Sequence, residues 1–291
     1  MPVKKSKITR TTDVVIIMQQ YMREHNVVAY KRNQYAFASL RRFFIGKHVY
    51  DINVPLCREY LYFRLAEGVS EATVARELTM LRAACNHGVK WQRIKSVEMP
   101  VFELPTNLPK RDVWLFKDEL RHIISVADDH IANFIKITYG TGSRRRAIEE
   151  LDWSQTNFAR KTITLSKPGE VKTNKKRPTV PMGDLHDLMV DMYDQSENQW
   201  VLGSNRDMLF AFQSTCQKAG LLHVKERDGR PAGKITPHIL RHSRATHLLE
   251  DGASIYSVAK LLGDTPLTVQ RTYGHISMGS LEDELAKSSF L

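Results

Sequence analysis

His238-Ile239-Leu240-Arg241-His242, followed further on by Tyr273-Gly274-His275, is the part of this chain on which fold and chemistry turn. On a helix, His238 and Arg241 stand three apart and project from one face. A tyrosine alone says little, but this one closes a segment that opens on clustered cationic donors. Upstream lie two further cations of interest. Arg144 follows Thr141-Gly142-Ser143 at a turn between apolar-periodic segments, and Lys172 sits in the basic run Glu170-Val171-Lys172-Thr173-Asn174-Lys175-Lys176-Arg177. If these cations converge beside Tyr273, the set describes attack of a phenol oxygen on a phosphodiester.

The rest of the composition is compatible with such a substrate. Among 291 residues, 43 Lys and Arg face 32 Asp and Glu, a formal charge of +11 that favours a polyanionic partner. The length allows two domains and a sizeable core. Cys57, Cys85 and Cys216 have neither metal-ligand spacing nor the even count of a disulfide framework, which points to a reducing compartment. No apolar run approaches the ~18 residues of a membrane span, since Val14-Val15-Ile16-Ile17-Met18 runs at once into Gln19-Gln20.

Apolar spacing divides the chain. Four amphipathic helices are expected in the first ~100 residues. Their stripes are Val14, Ile17, Met18 and Tyr21; Phe37, Leu40, Phe43 and Phe44, stopped by Gly46; Leu56, Tyr60 and Phe63; and Val74, Leu78, Leu81 and Cys85, with Ser70 as N-cap and Gly88 at the C-terminal end. Their outward faces carry Arg41, Arg42, Arg76 and Arg82, with Lys90 just beyond the last helix. Each such charge is ordinarily a solvated residue, but phosphate contacts need many cations and little sequence precision. Pro100, Pro105 and Pro109 then punctuate a linker. Helical patterning resumes at Val113-Trp114-Leu115-Phe116-Lys117-Asp118-Glu119-Leu120. From Asn157 to Met182 it gives way to a small antiparallel sheet with a Pro168-Gly169 turn. Helices follow, broken by a polar loop from Lys225 to Lys234.

Arg, Lys, His-x-x-Arg and Tyr, in that order and spacing, resemble the tyrosine recombinases, the phage-integrase family of site-specific DNA recombinases. The motifs run from about Lys110 to His275, with a weaker helical match before them. The resemblance implies a mainly α fold with a small antiparallel β-sheet, arranged as a two-domain DNA clamp. Its parts are a basic N-terminal arm (1–10), a helical, SAM-like core-binding domain (11–95), a linker (96–110), a catalytic domain (111–276) and a tail (277–291) that docks on a neighbouring subunit.

The family's catalytic roles carry over residue by residue. Arg144 and Arg241 clamp the scissile phosphate, for which arginine's permanent charge and planar fork are suited. Arg144 stands two after Gly142 and keeps Leu151 and Trp153 in the family's spacing. The family's acidic residue three further on is here Ala147, whereas reading Arg146 with Glu149 would restore the carboxylate but break the other spacing. Lys172, five before Arg177, corresponds to the hairpin lysine that protonates the departing 5′ oxygen, with Lys175 and Lys176 as neighbouring phosphate contacts. His238 accepts or shares the tyrosine's proton or bonds the phosphate, and His242 points elsewhere. Tyr273 is the nucleophile; with a free phenol pKa near ~10 it needs a proton acceptor and a cationic site. Tyr256 lacks the following x-His.

One position departs from the pattern. After Leu261-Leu262-Gly263 the family carries His or Trp, and this chain carries Asp264. A carboxylate about 5 Å from the phosphate would repel it by roughly 3 kcal/mol at an effective dielectric near 20. Asp264 is therefore expected to turn aside or to be neutralised by a nearby cation such as His275.

The implied activity is cutting and rejoining of double-stranded DNA at recombination sites through a 3′-phosphotyrosine and a Holliday junction. It needs no cofactor and no metal, because fixed cations replace metal ions. The assembly would be a homo-tetramer on DNA, with a possible accessory DNA-bending protein and no membrane association. The setting would be cytoplasmic and nucleoid-associated, in a bacterial or phage-encoded mobile element. Two alternatives stay open: a DNA-relaxing or telomere-resolving enzyme with the same chemistry, and a non-catalytic DNA-binding protein, for which Asp264, Ala147 and the helix-turn-helix-like run Ile255-Tyr256-Ser257-Val258-Ala259-Lys260 speak.

Overall fold

The computed structural model of the chain describes residues 13–24, 30–106, 113–166, 177–225 and 231–274. Two units, Met1–Lys110 and Arg111–Leu291, account for them. The basic arm, Lys172, Lys175, Lys176, the Pro168-Gly169 turn, His275 and the tail lie outside the described residues.

In the first unit, α1 (Val14–Glu24), α2 (Tyr30–Phe44), α3 (Val54–Ala66) and α4 (Glu71–Lys90) turn their apolar stripes onto one core. Ile17, Met18, Leu40, Phe44, Leu78 and Leu81 are buried in it, each worth about 1.5–3 kcal/mol relative to exposure. Gly46, at φ +74°, ends α2 in the left-handed conformation that glycine adopts without strain. The fourth helix does not end at Gly88. That glycine is buried inside α4, where an added Cβ would lie 2.8 Å from Ile94 Cδ1, so it serves close packing rather than termination. Ser70 is the N-cap residue of α4, but its hydroxyl lies 3.2 Å from Thr73 Oγ1 instead of capping the backbone. Within this core Glu77 accepts from Arg64 Nε (3.0 Å), Arg64 Nη2 (2.9 Å) and the Tyr60 hydroxyl (2.6 Å). Met99, Phe102 and Leu104 of the expected linker pack against the same core.

The second unit contains α5 (Lys117–Ser125), α6 (Asp129–Thr141), α7 (Arg145–Glu149), β1 (Thr156–Asn157), β2 (Thr162–Thr164) and β3 (Thr179–Pro181). After them come α8 (His186–Asp194), α9 (Leu209–Lys218), β4 (His223–Lys225), β5 (Pro231–Lys234), α10 (His238–Glu250), α11 (Ile255–Leu262) and α12 (Pro266–Tyr273). The molecule is mostly helical, with a three-stranded antiparallel sheet in the order β1-β2-β3, Ile163 facing Val180. Two sequence expectations are corrected. Residues 113–116 are not helical: the Leu115 amide donates to Ser243 Oγ at 2.8 Å, and α5 begins only at Lys117, where Glu119 caps the Phe116 amide at 2.8 Å. The segment from Lys225 to Lys234 is not wholly loop, because β5 pairs antiparallel with β4.

Phe134, Ile135, Ile148, Ile163, Phe212 and Leu240 belong to the main core of this unit, against which α6 and α10 pack. A smaller cluster of Ala245, Leu249, Val258, Leu262 and Val269 holds Tyr273. The central helix thus carries His238 and Arg241 between a rigid core and the tyrosine's own cluster.

Candidate active site

Gly142 is the pivot of the site. It ends α6 at φ +61°, and a Cβ there would lie 2.8 Å from Leu262 Cδ2, so the turn demands glycine for conformation and for space. The chain then leaves in extended backbone through Arg144, the N-cap position of α7. The Gly142 carbonyl accepts from Arg241 Nη1 at 2.9 Å, and the Leu262 carbonyl accepts from the same nitrogen at 2.9 Å. Three elements are therefore pinned to one buried guanidinium. Burial lowers the Arg241 pKa, as does the positive charge of Arg144, while Asp264 raises it.

Asp264 reaches this point by the same economy. Gly263, at φ +65°, ends α11, the Asp264 amide donates to the Ala259 carbonyl at 3.0 Å, and Thr265 caps α12 by accepting from the Thr268 amide at 3.2 Å. The carboxylate bridges the two arginines: Oδ1 accepts from Arg144 Nη2 at 2.9 Å, and Oδ2 accepts from Arg241 Nη2. Neutralisation of Asp264 thus comes from the arginines expected to clamp phosphate; His275 is not among the described residues. Arg144 spends a single N–H on it and keeps the rest of its fork. Arg146, by contrast, is exposed and pairs with Glu150 at 2.9 Å, so it does not join the cluster. Glu149 is buried and accepts from the Met208 amide at 2.7 Å. Burial raises its pKa.

Tyr273 closes α12 and is buried. Burial pushes its phenol up to about 12, with Arg241 lowering and Asp264 raising it. Its hydroxyl lies 2.7 Å from His242 Nδ1. That contact corrects the expectation that His242 points elsewhere. The signal was present in the spacing, since His238 and His242 stand four apart and share a helix face, and their rings meet edge to face with centroids 4.6 Å apart. His238 keeps an exposed surface although protein atoms crowd its ring. That crowding lowers its pKa, and the charges of His242, Arg241 and Arg144 lower it further, so the ring is neutral at pH 7. Sequence reasoning also missed the carbonyls of Gly142 and Leu262, which no side-chain motif encodes.

The five proposed phosphate contacts of the first unit are all exposed. Arg42 is paired with Glu67 through both nitrogens, at 2.8 and 3.0 Å. Arg41, Arg76, Arg82 and Lys90 make no salt bridge among the described residues. Tyr256 is exposed. Among the described residues no cluster of His, Cys, Asp or Glu could hold a metal ion, and no helix is long and apolar enough to cross a membrane.

Together, two guanidinia meeting at one anion, a buried phenol and an imidazole on its oxygen can bind a phosphodiester and aim a nucleophile at it. Comparison with known proteins points the same way. The phage integrase family signature spans residues 113–279. The tyrosine recombinase XerC of Oceanobacillus iheyensis is 24% identical over 278 residues, covering 91% of this chain and 90% of that protein. XerC of Anoxybacillus flavithermus is 28% identical, covering 73% of this chain and 74% of that protein. In fold, the chain is similar to the Tn1549 transposon integrase in complex with a circular intermediate DNA, with a TM-score of 0.76 at 17% identity, over 96% of this chain and all of that one. It is also similar to a lambda integrase tetramer bound to a Holliday junction, with a TM-score of 0.65 at 18% identity, over 86% and 73%. The chain belongs to the phage integrase family and is a tyrosine-type DNA recombinase.

Proposed function

We propose that this protein cuts and rejoins duplex DNA at specific recombination sites, with Tyr273 as nucleophile and a Holliday junction between the two strand exchanges. The observation that carries the reading is the meeting of the Arg144 and Arg241 guanidinia at one anion, on elements that also hold the Tyr273 phenol. In the pentacoordinate transition state the non-bridging oxygens gain charge, and one well-placed donor is worth on the order of 10²–10³ in rate. Tyr273 Oη attacks phosphorus, the P–O5′ bond breaks, and Lys172 supplies the proton to O5′. The product is a 3′-phosphotyrosine that conserves the bond energy for rejoining. His238, neutral beside the two arginines, donates a hydrogen bond to the phosphate.

Around this centre we place a homo-tetramer on two DNA sites, each subunit closing its two domains about the duplex and passing its tail to a neighbour. The lambda integrase tetramer on a Holliday junction supports that assembly by its likeness of fold. Arg41, Arg42, Arg76, Arg82, Lys90, Lys175 and Lys176 contact the phosphate backbone, and an accessory bending protein assists some sites. The transposon integrase complexes support a role in a mobile element, and such a substrate places the protein in the cytoplasm with the nucleoid.

The test is incubation with nicked duplexes drawn from DNA flanking the gene, followed by SDS gels. A covalent adduct forms with the intact chain; Tyr273→Phe abolishes it while DNA binding persists. An adduct that survives Tyr273→Phe overturns the assignment.

A further inference from the structure

The nucleophile's proton needs a destination, and the geometry nominates one. Buried as it is, the Tyr273 phenol stays protonated at neutral pH, so attack on phosphorus must be coupled to proton loss. Of the histidines on α10, His242 places Nδ1 2.7 Å from the phenolic oxygen. His238 makes no hydrogen bond or ring contact with Tyr273 among the described residues; it meets the edge of the His242 ring. The order along this row is phenol, His242, His238, with Arg241 on the same helix facing Asp264 and Arg144. Both members of the pair are held firmly. Tyr273 is fixed among Val258, Leu262 and Val269, and His242 stands mid-helix between the buried residues Arg241 and Ser243, the latter donating to the Ile239 carbonyl at 2.9 Å.

We infer that His242 is the general base of strand cleavage: its Nδ1 takes the Tyr273 proton as the Oη–P bond forms. The step balances. The phenol's proton moves to His242, which becomes an imidazolium; the electron pair of the breaking P–O5′ bond leaves on O5′, which takes its proton from Lys172. In rejoining, the incoming 5′-hydroxyl attacks phosphorus and His242 returns its proton to the departing phenoxide. His238 is then free to serve the phosphate, and the row of two histidines divides the roles that a single histidine would have to combine. This inference rests on the cleavage reaction proposed above.

The test uses the full chain and a nicked duplex, following single-turnover formation of the covalent adduct. Asparagine can place a hydrogen-bonding group near the position of Nδ1 but cannot hold the proton. His242→Asn is therefore expected to slow adduct formation by about 10²-fold or more with DNA affinity unchanged. Replacing Tyr273 by a fluorinated tyrosine, whose phenol ionises near neutral pH, removes most of the need for a base. It should recover most of the His242→Asn loss and little of the loss caused by His238→Asn. His242→Gln carries the same comparison if the asparagine variant folds poorly, as checked by thermal melting. Adduct formation by His242→Asn at the rate of the unaltered chain, or a deficit that fluorotyrosine leaves unchanged, overturns the assignment by reducing His242 to a positioning residue. An unaltered chain that forms no adduct would instead bring down the cleavage reaction itself.

Discussion

At the residue scale, Asp264 is the position where charge and geometry pull against each other. Its carboxylate subtracts from the positive field of Arg144 and Arg241, yet it is also the object on which both forks close. Arg241 is anchored independently by the carbonyls of Gly142 and Leu262, whereas Arg144 has Asp264 as its only salt-bridge partner among the described residues. Asp264→Ala should therefore free Arg144 more than Arg241. Because displacement by about 1 Å can cost on the order of 10²-fold, adduct formation is expected to fall roughly 10- to 100-fold. Asp264→Asn, which keeps one acceptor, should fall less, and a severalfold increase in cleavage by either variant would show that the carboxylate merely obstructs phosphate. The sequence told that Asp264 had to turn aside or be neutralised, because a free carboxylate beside a phosphate is untenable. It could not tell by what, since Arg144 and Asp264 lie far apart in the chain and meet only through the fold.

At the element scale, glycines and buried pairs decide geometry. Gly142 ends α6, carries the carbonyl that holds Arg241 and presses against Leu262. Gly142→Ala would impose a left-handed strain of about 1–3 kcal/mol and push Leu262 away. The expected result is a lower melting temperature together with slower adduct formation, and normal cleavage in this variant would detach the turn from the chemistry. In the first unit, Glu77 of α4 accepts from Tyr60 and Arg64 of α3 where water is excluded. Glu77→Ala leaves a buried arginine short of its partner, and urea denaturation should register a loss of about 3 kcal/mol or more. Periodicity revealed α1 to α4 because each helix has a wet face and a dry one. It misjudged Gly88, whose role is contact with Ile94 and not termination. It also missed β5, a short pairing with β4 through Pro231 and Lys234 that has no alternation of apolar and polar residues to betray it.

At the scale of the whole molecule, ionisable groups distribute unevenly between the two units and make their acid stabilities differ. His238, His247 and His130, all in the second unit, have pKa values held below the ordinary 6.5, in each case first by burial. His247 is the most enclosed, its Nδ1 2.8 Å from the Tyr139 hydroxyl. As pH falls below 6.5 the unfolded chain takes up protons that the folded unit refuses, so the stability these groups leave intact at neutral pH drains away toward their folded pKa values. Glu149 works in the opposite sense, because its raised pKa lets the folded state gain a proton early, and it is set chiefly against the enclosed His247, since solvent screens the exposed His238 and His130. In the first unit Glu24, Glu67 and Glu103 have pKa values lowered by hydrogen bonds from Arg93, Arg42 and Arg58. Their contribution is present above the ordinary 4.5 and is lost only as pH falls through the lower folded values. Their exposure to solvent keeps that contribution small. Hydrogen exchange followed unit by unit at pH 7.5 and 5.5 should therefore show protection free energies falling in the second unit, most of all around α10, while the first unit holds. An equal loss in both, or an earlier loss in the first, would mean that these histidines do not govern the molecule's response to acid.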